Sequence, residues 1–160
     1  MDPGQTIYNT LKGDGVPDPL SSIVVSQARH ETNNFTSNVF NTCNNAFGYK
    51  AVYGALSCTQ SPEGGNYEYY PGGVVDSAHE ISRYLFRRVN DGSFPPLHTI
   101  TTPEQYATLL KAVGYYGAPL SEYTAGIIRW FKLYSPGIIG AGSLLLIGFA
   151  IYLFTKKNSL

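Results

Sequence analysis

The sequence predicts an α+β fold, mainly α: a helical domain over residues 1–134 with one β-hairpin lobe, followed by a single C-terminal transmembrane helix with a short basic tail over residues 135–160. Three observations carry this expectation. Apolar residues recur at three- and four-residue spacing between capping signals in several separate stretches, the mark of amphipathic helices. Val, Tyr, Thr and Cys concentrate between Lys50 and Pro71 around a Gly-Gly pair, which is hairpin texture. Residues 133–155 contain no Asp, Glu, Lys, Arg or His. At about 1.5 Å rise per residue that run reaches about 35 Å as a helix, enough for a hydrocarbon core of about 30 Å.

Taken in order, Asp18 and Pro19 read as an N-cap with Pro at the first helical position, and Leu20, Val24, Ala28 and Glu31 then share one face. The face that packs inward therefore ends in a carboxylate. Thr36 and Ser37 cap a short helix that carries Val39 and Phe40 inward before the polar break at Asn44 and Asn45. The hairpin follows, with its flexible tip over Ser61–Asn66. Val74, Ala78, Ile81, Leu85 and Val89 define a core helix that ends at Asp91 and Gly92. Thr102, Pro103 and Gln105 combine a capping box with an N1 proline and open a helix through Leu109, Leu110 and Val113, which Gly114 ends. Ser121 and Glu122 cap the last helix, on which Tyr123, Ile127, Trp130 and Tyr134 share a face; Ser135 and Pro136 break it. Trp130, Phe131 and Tyr134 ahead of the apolar run, Tyr152 and Phe154 at its close, and Lys156 and Lys157 beyond it form aromatic and basic flanks. A lipid bilayer, met through residues 136–155, is the first expected partner. Arg129 and Lys132 balance the two terminal lysines, so charge leaves the orientation open.

Composition excludes several classes. With Lys156 and Lys157 set aside, the chain carries nine basic and eleven acidic residues, and only Arg87 and Arg88 adjoin, so nucleic acid is not an expected partner. Cys43 and Cys58 form no CxxC pair and the three histidines are scattered, so no metal site and no cofactor are expected. The two cysteines either pair with each other or stay free. His30, His79 and His98 read as polar surface residues. The opening Met-Asp-Pro-Gly-Gln lacks the basic and apolar stretches of a secretory signal peptide.

Glu31 is the candidate for chemistry. A carboxylate at the end of an apolar face has its pKa pushed upward by burial, and a pKa raised towards the working pH suits a general acid. The alternative is a structural Glu31 paired with Arg29, His30 or Lys50.

Residues 26–51, SQARHETNNFTSNVFNTCNNAFGYKA, resemble the signature of the bacterial cell-wall glucosaminidases, glycoside hydrolase family 73. Gln27, Ala28, Glu31, Thr32, Phe35, Ser37, Asn44, Asn45, Phe47, Gly48 and Lys50 fall on the pattern, with Ala46 in place of the usual Leu. The resemblance continues through Tyr69, Tyr70, Asp76, Tyr106, Gly114 and Tyr115, and covers nearly everything from about residue 7 to residue 134. It implies a lysozyme-like fold, with Glu31 as catalytic acid. Asn45, Phe47 and Gly48 would shape the floor of a sugar cleft, and Tyr115 would line it near the scissile bond. The substrate it implies is the peptidoglycan glycan strand, cut at the β-1,4 bond between N-acetylglucosamine and N-acetylmuramic acid. In relatives a second carboxylate lies on the hairpin; Glu63, at the glycine-rich tip, is favoured over Glu68 on the returning strand. Tyr69 and Tyr116 are expected to offer ring faces to sugars.

The expectation is thus an endo-β-N-acetylglucosaminidase type of peptidoglycan hydrolase anchored by its tail. A lytic transglycosylase or muramidase of the same fold is the alternative, as is a catalytically silent glycan-binding membrane protein. A tail anchor without a signal peptide fits the internal membrane of a bacteriophage particle, where other virion proteins would be neighbours. The alternative location is a bacterial inner membrane with the domain facing the periplasm.

Overall fold

A computed structural model describes residues 2–62 and 64–134. The expected anchor over 135–160 and the expected second carboxylate, Glu63, lie outside the described residues. Among the described residues no helix is long and apolar enough to cross a membrane.

The chain opens with a helix that the periodicity argument passed over, α1 (Pro3–Gly13). Its signals are short but present: Asp2 accepts a hydrogen bond from the Gln5 amide at 3.3 Å, Pro3 occupies the first position, and Ile7 and Leu11 point inward one turn apart. The following helix, α2 (Leu20–Glu31), runs through the middle of the molecule and buries Leu20, Ile23, Val24 and Ala28. Asp18 does not cap it. That carboxylate instead accepts the Tyr8 hydroxyl at 2.9 Å and pairs with Lys12 at 3.0 Å, and α2 begins without a side-chain cap. Tertiary partners on α1 outcompete the local cap.

Ser37 caps α3 (Asn38–Cys43) as expected, accepting from the Phe40 amide at 3.2 Å; Val39 and Phe40 are half-buried and Cys43 is fully buried. A left-handed Asn44, φ 54°, ends that helix. The hairpin comprises β1 (Ser57–Gln60) and β2 (Asn66–Glu68), antiparallel, with Ser57 opposite Glu68, Gln60 opposite Asn66, and an irregularity between. Lys50 adds an isolated bridge to Tyr67. Cys43 and Cys58 are disulfide-bonded, which ties α3 to β1.

Beyond the lobe, α4 (Val74–Asn90) buries Ala78, Ile81 and Leu85 and packs on α1. A short 3-10 turn (Leu97–Thr99) leads to α5 (Pro103–Ala112), whose capping box is complete: Thr102 accepts from the Gln105 amide, and the Gln105 side chain accepts from the Thr102 amide, both at 3.2 Å. The last helix, α6 (Leu120–Tyr134), starts one residue before the expected Ser121 cap and packs on α2 and α5. Tyr123 and Ile127 are buried as expected. Trp130 is only half-buried and Tyr134 is exposed, because α6 runs past the end of the packed core; Phe131 is the residue there that packs against it. The core is continuous from Ile7 and Leu11 through Ile23, Ile81 and Leu85 to Tyr106, Leu110 and Ile127.

Candidate active site

Where α2 ends, five segments converge on a cleft of about 470 Å³. Glu31 comes from α2, and Ser37 and Val39 from the start of α3. Asn45, Phe47 and Gly48 come from the following loop, Lys50 and Tyr67 from the lobe, and Tyr115 and Tyr116 from the turn after α5. Of the residues singled out in the sequence, Glu31, Asn45, Phe47, Gly48, Tyr115 and Tyr116 therefore meet. Tyr69 does not line the cleft. It follows the end of β2, is exposed, and its amide bonds to the Leu56 carbonyl at 2.8 Å; Tyr67, two residues earlier, supplies the lobe's ring instead. Glu68 accepts the Tyr70 hydroxyl at 3.1 Å and is not among the cleft-lining residues.

The carboxylate of Glu31 accepts a hydrogen bond from the Tyr123 hydroxyl at 2.5 Å. Burial raises its pKa above the ordinary value of 4.5, and the Tyr123 hydrogen bond opposes that rise without cancelling it. The expected structural pairings are largely taken elsewhere. Arg29 is buried against Asp2 at 2.7 Å and also bonds Asn34, while its guanidinium lies 3.8 Å from the Tyr134 ring centroid. The Lys50 ammonium sits 4.0 Å above the ring of Tyr67.

His30 departs from the expected surface position. Its half-buried ring meets the edge of Tyr123 with centroids 5.2 Å apart and lies under Gly126, where a Cβ would come within 2.3 Å of it. Burial lowers its pKa, so it adds little positive charge near Glu31 at neutral pH. His79 pairs with Asp14 at 2.8 Å, and His98 is exposed.

The floor is built by the Asn45 side chain. Its oxygen accepts from the amides of Phe47 at 3.3 Å and Tyr49 at 3.1 Å, and its nitrogen donates to the carbonyls of Tyr49 at 2.8 Å and Glu68 at 3.1 Å. With both ends engaged, Asn45 frames the floor and joins it to the lobe. Gly48 has φ +69°, a left-handed conformation that favours glycine, and a Cβ there would stand 3.9 Å from Glu31 Oε2. Backbone conformation, not crowding, is thus what favours glycine there, and Oε2 is the carboxyl oxygen on the Gly48 side.

Tyr115 donates its hydroxyl to the Phe47 carbonyl at 2.8 Å and meets the edges of Tyr49 and Tyr84, centroids 5.8 and 5.5 Å away. Burial pushes its pKa well above the ordinary range, so it stays protonated and acts as a fixed wall. Tyr116 stacks on Tyr123 at 3.6 Å between centroids and donates to the Ala107 carbonyl at 2.9 Å.

Sequence reasoning missed the groups behind Glu31. Tyr123 was visible as an inward residue of the last helix, and Gln27 lies one turn before Glu31 on α2. Nothing local pointed to a bond between Tyr123 and Glu31, 92 residues apart. Chemically the arrangement offers a carboxyl group whose pKa burial raises, in an aromatic-walled groove, placed to give a proton to a bound oxygen. Compared with protein-family models, curated proteins and solved structures, the chain matches none.

Proposed function

We propose that this protein is a membrane-anchored peptidoglycan hydrolase that cleaves the β-1,4 glycan strand, with Glu31 as general acid. The observation that carries the reading is the state and position of Glu31. It is a carboxyl group whose pKa is raised by burial, with one oxygen bonded to Tyr123 and the other on the side of Gly48, in the lining of a groove walled by Tyr67, Tyr115 and Tyr116. Glycoside cleavage requires a proton on the leaving oxygen, and tyrosine rings suit the apolar faces of sugars. Glu63, on the lobe that borders the groove, is the proposed second carboxylate. It would activate water or steady positive charge at the anomeric carbon. Phe47 and Gly48 form the floor, framed by Asn45, and Tyr115 joins the floor to the wall through its hydrogen bond to the Phe47 carbonyl.

The Cys43–Cys58 bridge supports work outside the reducing cytosol, since such bonds persist in the periplasm and at virion surfaces. The apolar run 136–155 would hold the domain beside a bilayer, the internal membrane of a bacteriophage particle being the location we propose.

Mass spectrometry of purified peptidoglycan digested with the detergent-solubilised full chain tests the reading. New reducing N-acetylglucosamine ends are expected. Reducing muramic acid ends, anhydro-muramic ends or undigested strands would replace it by a muramidase, a transglycosylase or a silent binding protein, respectively.

A further inference from the structure

Three buried side chains outside the cleft lining form a directed hydrogen-bond chain that ends on Glu31. The Tyr106 hydroxyl donates to Gln27 Oε1 at 2.7 Å, Gln27 Nε2 donates to the Tyr123 oxygen at 3.1 Å, and the Tyr123 hydroxyl donates to Glu31 Oε1. They come from α5, α2 and α6, and Tyr106 and Gln27 are fully buried.

The donor inventory fixes the direction. A phenol has one proton, and once the Gln27 N–H points at the Tyr123 oxygen, that proton has Glu31 left to address. Reversal would turn the Gln27 amide over and leave the buried Tyr106 proton without its acceptor, a costly state for a group away from water. Glu31 Oε1 is thereby held as an acceptor whether the carboxyl group is ionised or neutral. The proton of the neutral form goes to Oε2, the oxygen on the Gly48 side.

The geometry points to a proton-placing relay: Tyr106, Gln27 and Tyr123 keep the acidic proton of Glu31 on Oε2, where it faces the cleft, and act as positioning residues for the cleavage. The relay rests on the reading of Glu31 as proton donor. Without it the proton of Glu31 could settle on Oε1, buried against Tyr123, where no glycosidic oxygen can reach it. Among the described residues, the other titratable groups around the carboxyl are Tyr115 and Tyr116 beyond α5, Lys50 and Tyr67 on the lobe, and His30 on the same helix. Tyr123→Phe leaves each of them unchanged and keeps the stack on Tyr116.

The test titrates Glu31 by carbon NMR in the full chain in detergent, with side-chain carboxyl-labelled glutamate and the signal assigned from Glu31→Gln. Wild type, Tyr123→Phe and Gln27→Leu are compared, alongside thermal unfolding and the pH dependence of kcat and KM on peptidoglycan. Losing the Tyr123 donor removes a bond that favours the ionised form, so Glu31 must titrate at higher pH in Tyr123→Phe. The alkaline limb of activity must move up with it, while kcat falls at unchanged KM, by up to the about 10²-fold that a misplaced group can cost. Gln27→Leu should shift both in the same direction by less. An unmoved titration and an unmoved alkaline limb, with only the unfolding temperature lowered, would make the chain merely structural and overturn the relay. If Glu31 titrates as expected but wild type cleaves no glycan, the hydrogen-bond relay stands and the catalytic reading fails.

Discussion

On the helical side of the cleft, Gln27, Ala28 and Ile127 are fully buried, and Glu31 hangs from packing contributed by α2, α5 and α6. On the lobe side the chain is barely packed. Val52 is 73 % exposed and Leu56 60 %, and neither β1 nor β2 contains a fully buried residue. Apolar burial, worth about 25 cal/mol per Å², can hold the first wall but has little to work with on the second. The lobe is held instead by discrete links: the Cys43–Cys58 bond, the Asn44 amide on the Tyr70 carbonyl at 2.9 Å, and the Asn45 amide on the Glu68 carbonyl at 3.1 Å. The contrast teaches a division of labour: the carboxyl group whose pKa burial raises sits in the rigid wall, and the wall that would admit a glycan strand under the proposed function is tethered at points.

The strongest way to break this comparison is to exchange carboxylates on the tethered wall. Glu63→Gln should lower turnover more than tenfold, within the range of about 10² to 10⁴ that acid–base groups supply, and Glu68→Gln should leave it unchanged. Glu68 is engaged by the Tyr70 hydroxyl and stands off the cleft, so its charge has no direct part. Kinetics of both variants on one peptidoglycan preparation decide it. A silent Glu63 beside a crippled Glu68 would move the second carboxylate to the returning strand.

A smaller effect sharpens the idea of point tethers. Cys43 and Cys58 are 15 residues apart, and on the loop-entropy account a bridge of that size contributes about 3 kcal/mol. Cys58→Ser should therefore loosen the lobe while the helices stay folded. The expected outcome is a KM raised several-fold, with kcat and helical circular dichroism nearly unchanged, because Glu31 is held from the other wall. Loss of helical signal would mean that the lobe supports the core, contrary to the comparison.

Glu31 itself should leave a still smaller signature in stability. Its folded-state pKa is raised, so the folded chain binds that proton more tightly than the unfolded one. The stabilisation from protonation is complete below the ordinary value of 4.5 and is lost as pH rises through the raised value. Glu31→Gln, which cannot ionise, should gain in unfolding temperature relative to wild type as pH increases across that window. A gap independent of pH, followed by scanning calorimetry, would show that Glu31 is not desolvated.

What was legible in the sequence follows the same division. α4 and α5 were readable because their stripes and caps are local, and Glu31, Asn45, Phe47 and Gly48 could be read together because they lie within 18 consecutive residues. Asp18 misled because its carboxylate found Tyr8 and Lys12 instead of the α2 amides, an outcome decided by tertiary contact. Tyr69 misled because strand alternation puts it on the same face as Tyr67, whereas β2 ends at Glu68 and the pleat ends with it. The Cys43–Cys58 pairing and the Tyr123–Glu31 bond join segments whose proximity only the folded chain creates.

The central claim is that Glu31 gives its proton to the glycan from a fixed position in the helical wall. Rates of peptidoglycan solubilisation by wild type and Glu31→Gln, full chains at equal concentration in the same detergent, test it most directly. The amide keeps the shape and can still accept from Tyr123 but has no acidic proton to donate, so the variant should lose at least about 10²-fold in rate. Its unfolding temperature at neutral pH should be no lower than that of wild type. A variant that retains more than about a tenth of the wild-type rate, far above what loss of a general acid allows, would contradict the account.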